Sequence, residues 1–244
     1  MVDKVIYNGV VLSDYFTTIV DETPPAGRKN ATQEISGMHG VRVTGSVLEP
    51  LQVGIYVILN GRSKAERRED LRTLMGVVYS DELKPLYLSS DDGLYRMAIL
   101  DGDKPFDEHV GGGRVKLNFL AESPILYGEK HSVRVPSGGS VGIYVNGTYK
   151  TSPNIVANAA YGAASTFLWG LRLDEGDYIR MVTGSRTLAK KVELDCESRV
   201  GKLANVVKLP TMDSDWLELS PGAHTLRNDV GVGACTVAWQ DRWL

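Results

Sequence analysis

The sequence predicts a mainly β protein of two β-sandwich domains, the first of which contains one α-helix. Three observations support this prediction: short stretches alternate between apolar and polar residues, turn signals separate them at short intervals, and a helical period occurs once. A length of 244 residues fits one large domain or two ordinary domains. With 43% hydrophobic and 23% charged residues, the chain has the composition of a folded globular protein.

The strand signals of the first half centre on Leu51–Leu59, where every second residue is apolar and one face is therefore expected to be buried. Val5–Leu12 predicts two short strands around Asn8-Gly9, because this pair tolerates the positive φ angles of a tight hairpin. Further strands are predicted at Thr17–Val20, Leu86–Leu88, Tyr95–Leu100 and Arg114–Leu120.

One helix is predicted over about residues 63–79. Ser63 and Glu66 have the spacing of a capping box, in which each side chain binds the backbone N–H of the other residue. An apolar stripe follows at Leu71, Leu74, Met75 and Val78. The opposite, charged face is predicted to be solvated: Arg67, Arg68, Glu69, Asp70 and Arg72.

The strand pattern is interrupted around Glu122–Lys130, and we predict the domain boundary there. This gives domains 1–129 and 130–244. Short strands with frequent turns recur beyond it and predict a second sandwich. The predicted strands are His131–Val135, Val141–Val145, Asn154–Ala157, Ser165–Leu171, Tyr178–Thr183, Leu188–Leu194 and Ala204–Leu209. The closing stretch, Asp215–Leu226, predicts two strands around a Ser-Pro-Gly turn; a glycine-rich bend and a last strand at Ala234–Trp239 follow.

The polar stretch Pro24–Asn30 is predicted to be either an exposed hairpin tip or a disordered loop. In the first case its flanking residues form a long two-stranded arm. Two strands alone are marginally stable, so such an arm needs a surface to lie on, and another subunit can provide one.

No arrangement of residues predicts catalysis, a cofactor or a metal ion. His39, His109, His131 and His224 match no metal-ligand spacing, and neither a G-x-S-x-G elbow nor a phosphate-binding P-loop occurs. The acidic cluster at Asp101–Glu108 is interrupted by Pro105 and is interpreted as a solvated loop rather than a calcium site.

The cysteines and tryptophans are predicted to be structural. Cys196 and Cys235 lie in separate strand-like segments and are expected to be buried free thiols; a disulfide would need those strands to be neighbours. The four tryptophans lie in the second half, where core packing is favoured over stacking on sugar rings. Trp243, near the last residue, is the best candidate for an interface anchor.

The net charge of −3 gives no electrostatic case for nucleic-acid binding. Residues 1–129 carry 14 Lys and Arg against 19 Asp and Glu, a net −5, and residues 130–244 carry 13 against 11, a net +2. No apolar run approaches the roughly 20 residues that span a bilayer, and the first residues lack the pattern of a signal peptide. We therefore expect a soluble protein made in a cytosol.

Several of these stretches resemble siphophage distal tail proteins. The resemblance lies in V-I-Y-N-G-V-V-L-S-D-Y-F at Val5–Phe16, in R-R-E-D-L-R-T-L-M at Arg67–Met75, and in L-Y-L-S-S-D-D-G-L-Y-R-M-A at Leu86–Ala98. The closing W-L-E-L-S-P-G-A-H-T-L at Trp216–Leu226 is also typical of that family. The likeness spans nearly the whole chain and is least specific over residues 131–210.

The resemblance implies a structural protein of the virion tail tip, assembled in the host cytoplasm and without enzymatic activity. Its first domain is expected to form a ring, with six copies, under the tail tube. Its second domain is expected to resemble galectin or carbohydrate-binding-module sandwiches, to project outward and to dock receptor-binding proteins. The ring joins the major tail tube protein to the tail-tip hub and lets DNA pass, and an acidic first domain suits such a channel because like charges repel.

A head-to-tail ring needs two different, complementary patches on each subunit. The candidate contact residues are Pro24, Pro25, Arg28 and Lys29 in the arm, together with Trp243. The alternative is a carbohydrate-binding module that contacts a host surface glycan through tryptophans or tyrosines. A wall-degrading enzyme is a third hypothesis, and the sequence offers no acid–base constellation for it.

Overall fold

The computed structural model describes residues 3–21, 25–102, 106–109, 112–159, 168–183 and 190–244. The chain divides into two compact units, residues 1–126 with Leu244 and residues 127–243. Both units are mainly β, as the sequence predicts. Within the described ranges, no helix is long and apolar enough to cross a membrane. The assignment of domains to residues 1–129 and 130–244 stays a prediction.

The first unit contains ten strands and one α-helix among its described residues. The strands are β1 (Val5–Tyr7), β2 (Val10–Val11), β3 (Thr17–Val20), β4 (Arg28–Gln33), β5 (Arg42–Leu48), β6 (Leu51–Leu59), β7 (Lys84–Leu88), β8 (Tyr95–Asp101), β9 (Phe106–His109) and β10 (Gly112–Ala121). The helix is α1 (Lys64–Val78).

The strand β6 has the predicted bounds and the predicted buried face. Its alternate residues Leu51, Val53, Ile55, Val57 and Leu59 are buried in the core of the first unit. It pairs with β10 on one side and with β3 on the other, both antiparallel. At the start of the chain, Asn8 and Gly9 have φ angles of 50° and 79° and join β1 to β2 as predicted.

The helix begins at the predicted cap. The Ser63 hydroxyl accepts the Glu66 N–H at 3.1 Å, and the Glu66 carboxylate accepts the N–H of Ser63 at 3.3 Å and of Arg62 at 2.7 Å. Leu74 and Val78 are buried. The prediction that Arg67 is solvated is wrong: it is buried, and its guanidinium donates to the carbonyl of Arg62 at 3.3 Å.

The second unit contains ten strands among its described residues, in two sheets. One sheet has the order β18, β17, β16, β13, β20, β11, and the other the order β12, β19, β14, β15. Buried residues of both sheets form one core. The strands are β11 (Leu126–Val135), β12 (Ser140–Val145), β13 (Asn154–Ala159), β14 (Leu168–Leu173), β15 (Tyr178–Val182), β16 (Lys190–Asp195), β17 (Val200–Leu203), β18 (Val206–Val207), β19 (Gly222–Val230) and β20 (Cys235–Trp243).

Two strand predictions in this unit are wrong. The stretch Trp216–Leu219 forms no ladder with β19; it makes an isolated bridge between Leu219 and Thr151, while β19 pairs with β12 and β14. The predicted strand Ala204–Leu209 is interrupted because Ala204 and Asn205 have φ angles of 50° and 66° and form the turn between β17 and β18.

The tryptophans and cysteines behave mainly as core residues. Trp169 and Trp239 are buried, and Trp216 packs partly buried against the same core. Cys196 and Cys235 are buried and free, as predicted. Burial raises the pKa of both thiols to about 12, so they are uncharged at neutral pH.

The bend between β19 and β20 requires glycine. Gly231 and Gly233 have φ angles of 80° and 126°, and at Gly233 a Cβ atom would lie 2.1 Å from the carbonyl oxygen of Asn158. An L-residue would therefore meet both backbone strain and a backbone clash. This bend carries the chain from one sheet of the second unit to the other.

His224, at the start of β19, has an acceptor at each ring nitrogen. Nδ1 lies 2.8 Å from the Asp174 carboxylate and Nε2 lies 2.8 Å from the carbonyl oxygen of Ser220. Burial alone would lower the pKa of His224, but the hydrogen bonds to Asp174 and Ser220 outweigh it and raise this pKa above its ordinary value. The hydrogen bond from His224 in turn lowers the pKa of Asp174.

Replacing Gly233 with Ala is expected to lower the free energy of unfolding by at least about 2 kcal/mol, because the new Cβ meets backbone and the φ angle disfavours it. Chemical unfolding measures the change. Gly142→Ala in β12 is the control, since no atom lies within 4 Å of its Cβ position. Equal stability of the two variants would contradict this account of the bend.

The contribution of His224 to stability is expected to depend on pH. Because its folded pKa is raised above the unfolded value of 6.5, the stabilisation is complete below pH 6.5 and is lost as the pH rises through the folded pKa. Unfolding free energies of wild type and His224→Gln should therefore differ by about 2 kcal/mol at pH 6 and converge at alkaline pH. A difference that is constant with pH would disprove this.

Candidate functional site

The strands β4 and β5 form a separate two-stranded sheet, the arm, which comprises residues 28–48. Arg28 pairs with Leu48, and Lys29 pairs with Val47. The ladder is interrupted between Ala31 and Thr32, where the partner strand has one extra residue, Thr44. Such a bulge increases the local twist of the hairpin.

The tip of the arm lies at residues 34–41, so the placement of a hairpin tip at Pro24–Asn30 is wrong. Gly37 and Gly40 have φ angles of 84° and 86°, and the Met38 N–H donates to the Ile35 carbonyl at 3.0 Å. The prolines before β4 resembled a turn in sequence, but proline also precedes strands, where its missing N–H does not interrupt a ladder.

The root of the arm is fixed by backbone contacts. The Glu49 N–H donates to the Gly27 carbonyl at 2.9 Å, and a Cβ on Gly27 would lie 2.6 Å from the Glu49 carboxylate. Leu48, the last residue of β5, is half-buried, and the core strand β6 begins three residues later at Leu51. The arm is therefore attached directly to the core of the first unit.

Both faces of the arm are exposed. Every residue of β4 is exposed, as is every residue of β5 except Leu48. Val43 is 57% exposed and Val47 is 63% exposed, and the register places them on opposite faces. Other exposed apolar side chains lie in and beside the tip: Ile35, Met38 and Val41.

The sequence-based prediction of contact residues did not include these apolar residues, because it was based on the proline-rich stretch Pro24–Asn30. The signal was present in V-R-V-T-G-S-V at Val41–Val47, where β-branched residues recur in an otherwise polar segment. An apolar strand that no core residue covers is typical of a surface that binds another protein chain.

The arm differs in charge from the rest of its half of the chain. The arm, residues 28–48, contains Arg28, Lys29 and Arg42 against Glu34, a net +2. Residues 1–129 carry a net −5, so the residues of this half outside the arm carry −7. A basic arm is thus electrostatically suited to an acidic surface like that of its own half.

The predicted contact residues do not all lie together. Arg28 and Lys29 are exposed neighbours on β4, and Pro25 is exposed just before it. Pro24 lies outside the described residues. Trp243 is half-buried at the end of β20, in the second unit. Of the five candidates, Arg28 and Lys29 lie in the arm, and Pro25 lies just before it.

The arm provides two open strand edges, exposed apolar residues and basic side chains. These groups suit association with a protein chain through main-chain hydrogen bonds and apolar contacts. Within the described residues, no group of His, Cys, Asp and Glu side chains is arranged to hold a metal ion.

Two family models match the chain. The phage tail protein RIFT-related domain matches residues 7–121, and the siphovirus-type tail component, C-terminal domain, matches residues 146–243. The chain belongs to the siphophage distal tail protein family. The stretches that first indicated this family, from Val5 to Leu226, fall largely within the two matched regions.

The distal tail protein of Bacillus phage SPP1 is 24% identical over 240 residues, which cover 92% of this chain and 91% of that protein. The crystal structure of SPP1 Dit, described as a paradigm of hub adsorption apparatus in phages that infect Gram-positive bacteria, aligns with a TM-score of 0.74. The alignment covers 100% of both chains at 20% identity and shows a shared fold. The galectin-like character of the second domain stays a prediction.

Proposed function

We propose that this distal tail protein is a structural subunit that assembles as a ring of six copies between the tail tube and the tail-tip hub. Family membership supports a role in the tail or baseplate. The observation that carries the ring is the arm, whose two faces and two edges are exposed in the single chain. A neighbouring copy is the partner that we propose for it.

In this proposal the arm of one subunit lies on the acidic surface of the next subunit. A head-to-tail ring requires two different patches on each copy, and the arm supplies one of them. The net +2 of the arm and the net −7 of the rest of this half supply the charge complementarity. Trp243, half-buried at the end of β20, is a second candidate contact residue.

The partners that we propose follow from the position of such a ring. The first domain binds the major tail tube protein and the tail-tip hub protein, and the second docks host-recognition proteins. DNA passes through the ring without specific binding, since an acidic lumen would repel phosphates. A lumen lined by Lys and Arg would contradict this.

The role that we propose is structural and not enzymatic. The protein is located at the virion tail tip after assembly in the host cytoplasm.

Replacing both arm valines, Val43→Lys and Val47→Lys, is expected to shift the purified protein from rings toward monomers. Their exposure in the single chain means that the variant should keep the melting temperature of wild type. Native mass spectrometry and electron micrographs measure ring population and symmetry. Val206→Lys, at an exposed valine of β18 in the second unit, is the matched control and should still form rings.

The ring itself is contradicted if wild type remains monomeric in the presence of purified tail tube and hub proteins. If rings form and the double valine variant forms them equally well, the ring stands and the assignment of the arm to its interface is wrong.

Reversing the charges of Arg28 and Lys29 to Glu is expected to weaken assembly about tenfold or more at low ionic strength, since it turns attraction to an acidic neighbour into repulsion. The difference from wild type should shrink as salt is added. Analytical ultracentrifugation across a salt series checks this. Lys64→Glu, at an exposed position in the first turn of α1, is the control. Salt-independent loss of assembly would point to misfolding rather than to lost charge pairing.

A further inference from the structure

The sheet of β12, β19, β14 and β15 has two edge strands, and the fold treats them differently. At the β15 edge, residues 208–215 run alongside the strand. The Thr211 N–H donates to the Arg180 carbonyl at 3.0 Å, and the Asp215 N–H donates to the Tyr178 carbonyl at 2.9 Å. In the described part of the chain, β12 pairs with β19 alone. One edge of this sheet is therefore covered and the other is open.

The hydrogen bonds of β12 show which backbone groups face the open edge. The Asn228 N–H donates to the Gly139 carbonyl at 2.9 Å, and the ladder continues through β12 without a register shift. In an antiparallel ladder, pairs that exchange hydrogen bonds alternate with pairs that do not. Every second residue of β12 therefore bonds to β19. The residues between them present their N–H and C=O groups to the open edge: Ser140, Gly142 and Tyr144.

This edge lacks the features that usually keep edge strands from pairing. Such strands are commonly very short, bulged, or protected by proline or charged side chains. The strand β12 has six residues and no bulge, and residues 136–149 contain no charged side chain. By contrast β18, an edge strand of the other sheet of this unit, has two residues. The open edge of β12 is thus suited to receive a further strand.

The outward face beside β12 carries positive charge. The register places Ser140 opposite Arg227 of β19, and Arg227 opposite Arg172 of β14. Like charges directly opposite each other are unfavourable. The pKa of Asp174 is lowered mainly by its hydrogen bond from His224 and to a smaller extent by the charge of Arg227, so this carboxylate compensates Arg227 only in part. A further carboxylate would be stabilised here.

A strand added beyond β12 would bring such a carboxylate within reach. Neighbouring strands lie about 4.8 Å apart, so the backbone of the added strand would be roughly 10 Å from β19. An arginine and a glutamate side chain together span this distance. The outward residues of β12 between them, Ser140 and Gly142, are small and leave the space open. Tyr144, which is 63% exposed, offers an aromatic contact near the other end of the strand.

From this geometry we propose that β12 binds an extended, acidic segment of the host-recognition protein as a fifth strand of its sheet. A second copy of this chain fits less well, because its own β12 and the flanking residues 136–149 supply no carboxylate. The choice of partner rests on the proposed function. The open edge itself belongs to the single chain and does not depend on ring formation.

Isothermal titration calorimetry of the full chain with the purified host-recognition protein tests the proposal. Gly142→Pro removes an N–H that faces the open edge and leaves the ladder with β19 intact. It should keep the melting temperature and weaken binding about tenfold or more. Gly142→Ala is the matched control, since it keeps the N–H and no atom lies within 4 Å of its Cβ position. This variant should bind like wild type.

Hydrogen exchange gives a second measurement that a side-chain contact alone would not change. The backbone N–H groups of Gly142 and Tyr144 should exchange about tenfold more slowly in the complex, because a new ladder protects them. Arg227→Gln should weaken binding about threefold or more at low salt, and the difference should shrink as salt is added. Lys202→Gln, at an exposed position of β17, is the control for lost charge.

The proposal is overturned if the host-recognition protein does not bind wild type, or if exchange in β12 is unchanged in the complex. It is also overturned if Gly142→Pro folds and binds as tightly as Gly142→Ala. If Gly142→Pro does not fold, the exchange rates and the salt dependence of Arg227→Gln decide. Rings that form without this binding would overturn the β12 site and leave the ring standing.

Discussion

The buried face of β6 is the constraint on which the first unit depends. Five alternate residues of Leu51–Leu59 lie in its core, and β10 pairs with all nine residues of the strand. β3 covers the other edge, so β6 is a central strand with little freedom to shift its register. The arm ends at Leu48 and Pro50 cannot donate to a ladder, so the two-stranded sheet stops where the core begins. The end of the arm that adjoins β6 is therefore held in place, although the residues of the arm itself are exposed.

Local signals made much of the first unit predictable. The alternation of Leu51–Leu59, the Asn8-Gly9 turn and the Ser63–Glu66 capping box each depend on residues a few positions apart. Arg67 was missed because periodicity assigns charged residues to solvent, whereas its long side chain turns back to the carbonyl of Arg62. The tip of the arm was misplaced because Pro24-Pro25 is a stronger turn signal than Gly37 and Gly40, although only the glycines have the backbone angles of the turn.

The second unit was less predictable because its pairing is less local. Trp216–Leu219 alternates like a strand, but alternation does not specify a partner, and Leu219 meets Thr151 instead of the adjacent β19. The pairing of β13 with β20 had no sequence signal for the same reason. Asn154 pairs with Ala238, which lies far along the chain, and this neighbourhood is visible only after the sheet is known.

The arm also shows why a ring would suit a surface of this size. Fully burying one valine or methionine side chain contributes about 1.5–3 kcal/mol, and these side chains are already partly covered, so each would contribute less. Bringing two proteins together costs at least about 4 kcal/mol. In the proposed ring, one arm would therefore give a weak pairwise contact. Arg28 and Lys29 would favour acidic partners over indiscriminate strand pairing. In a closed ring every copy makes two such contacts, and a copy can leave only when both break. Closure would thus stabilise an interface that is weak between two free chains.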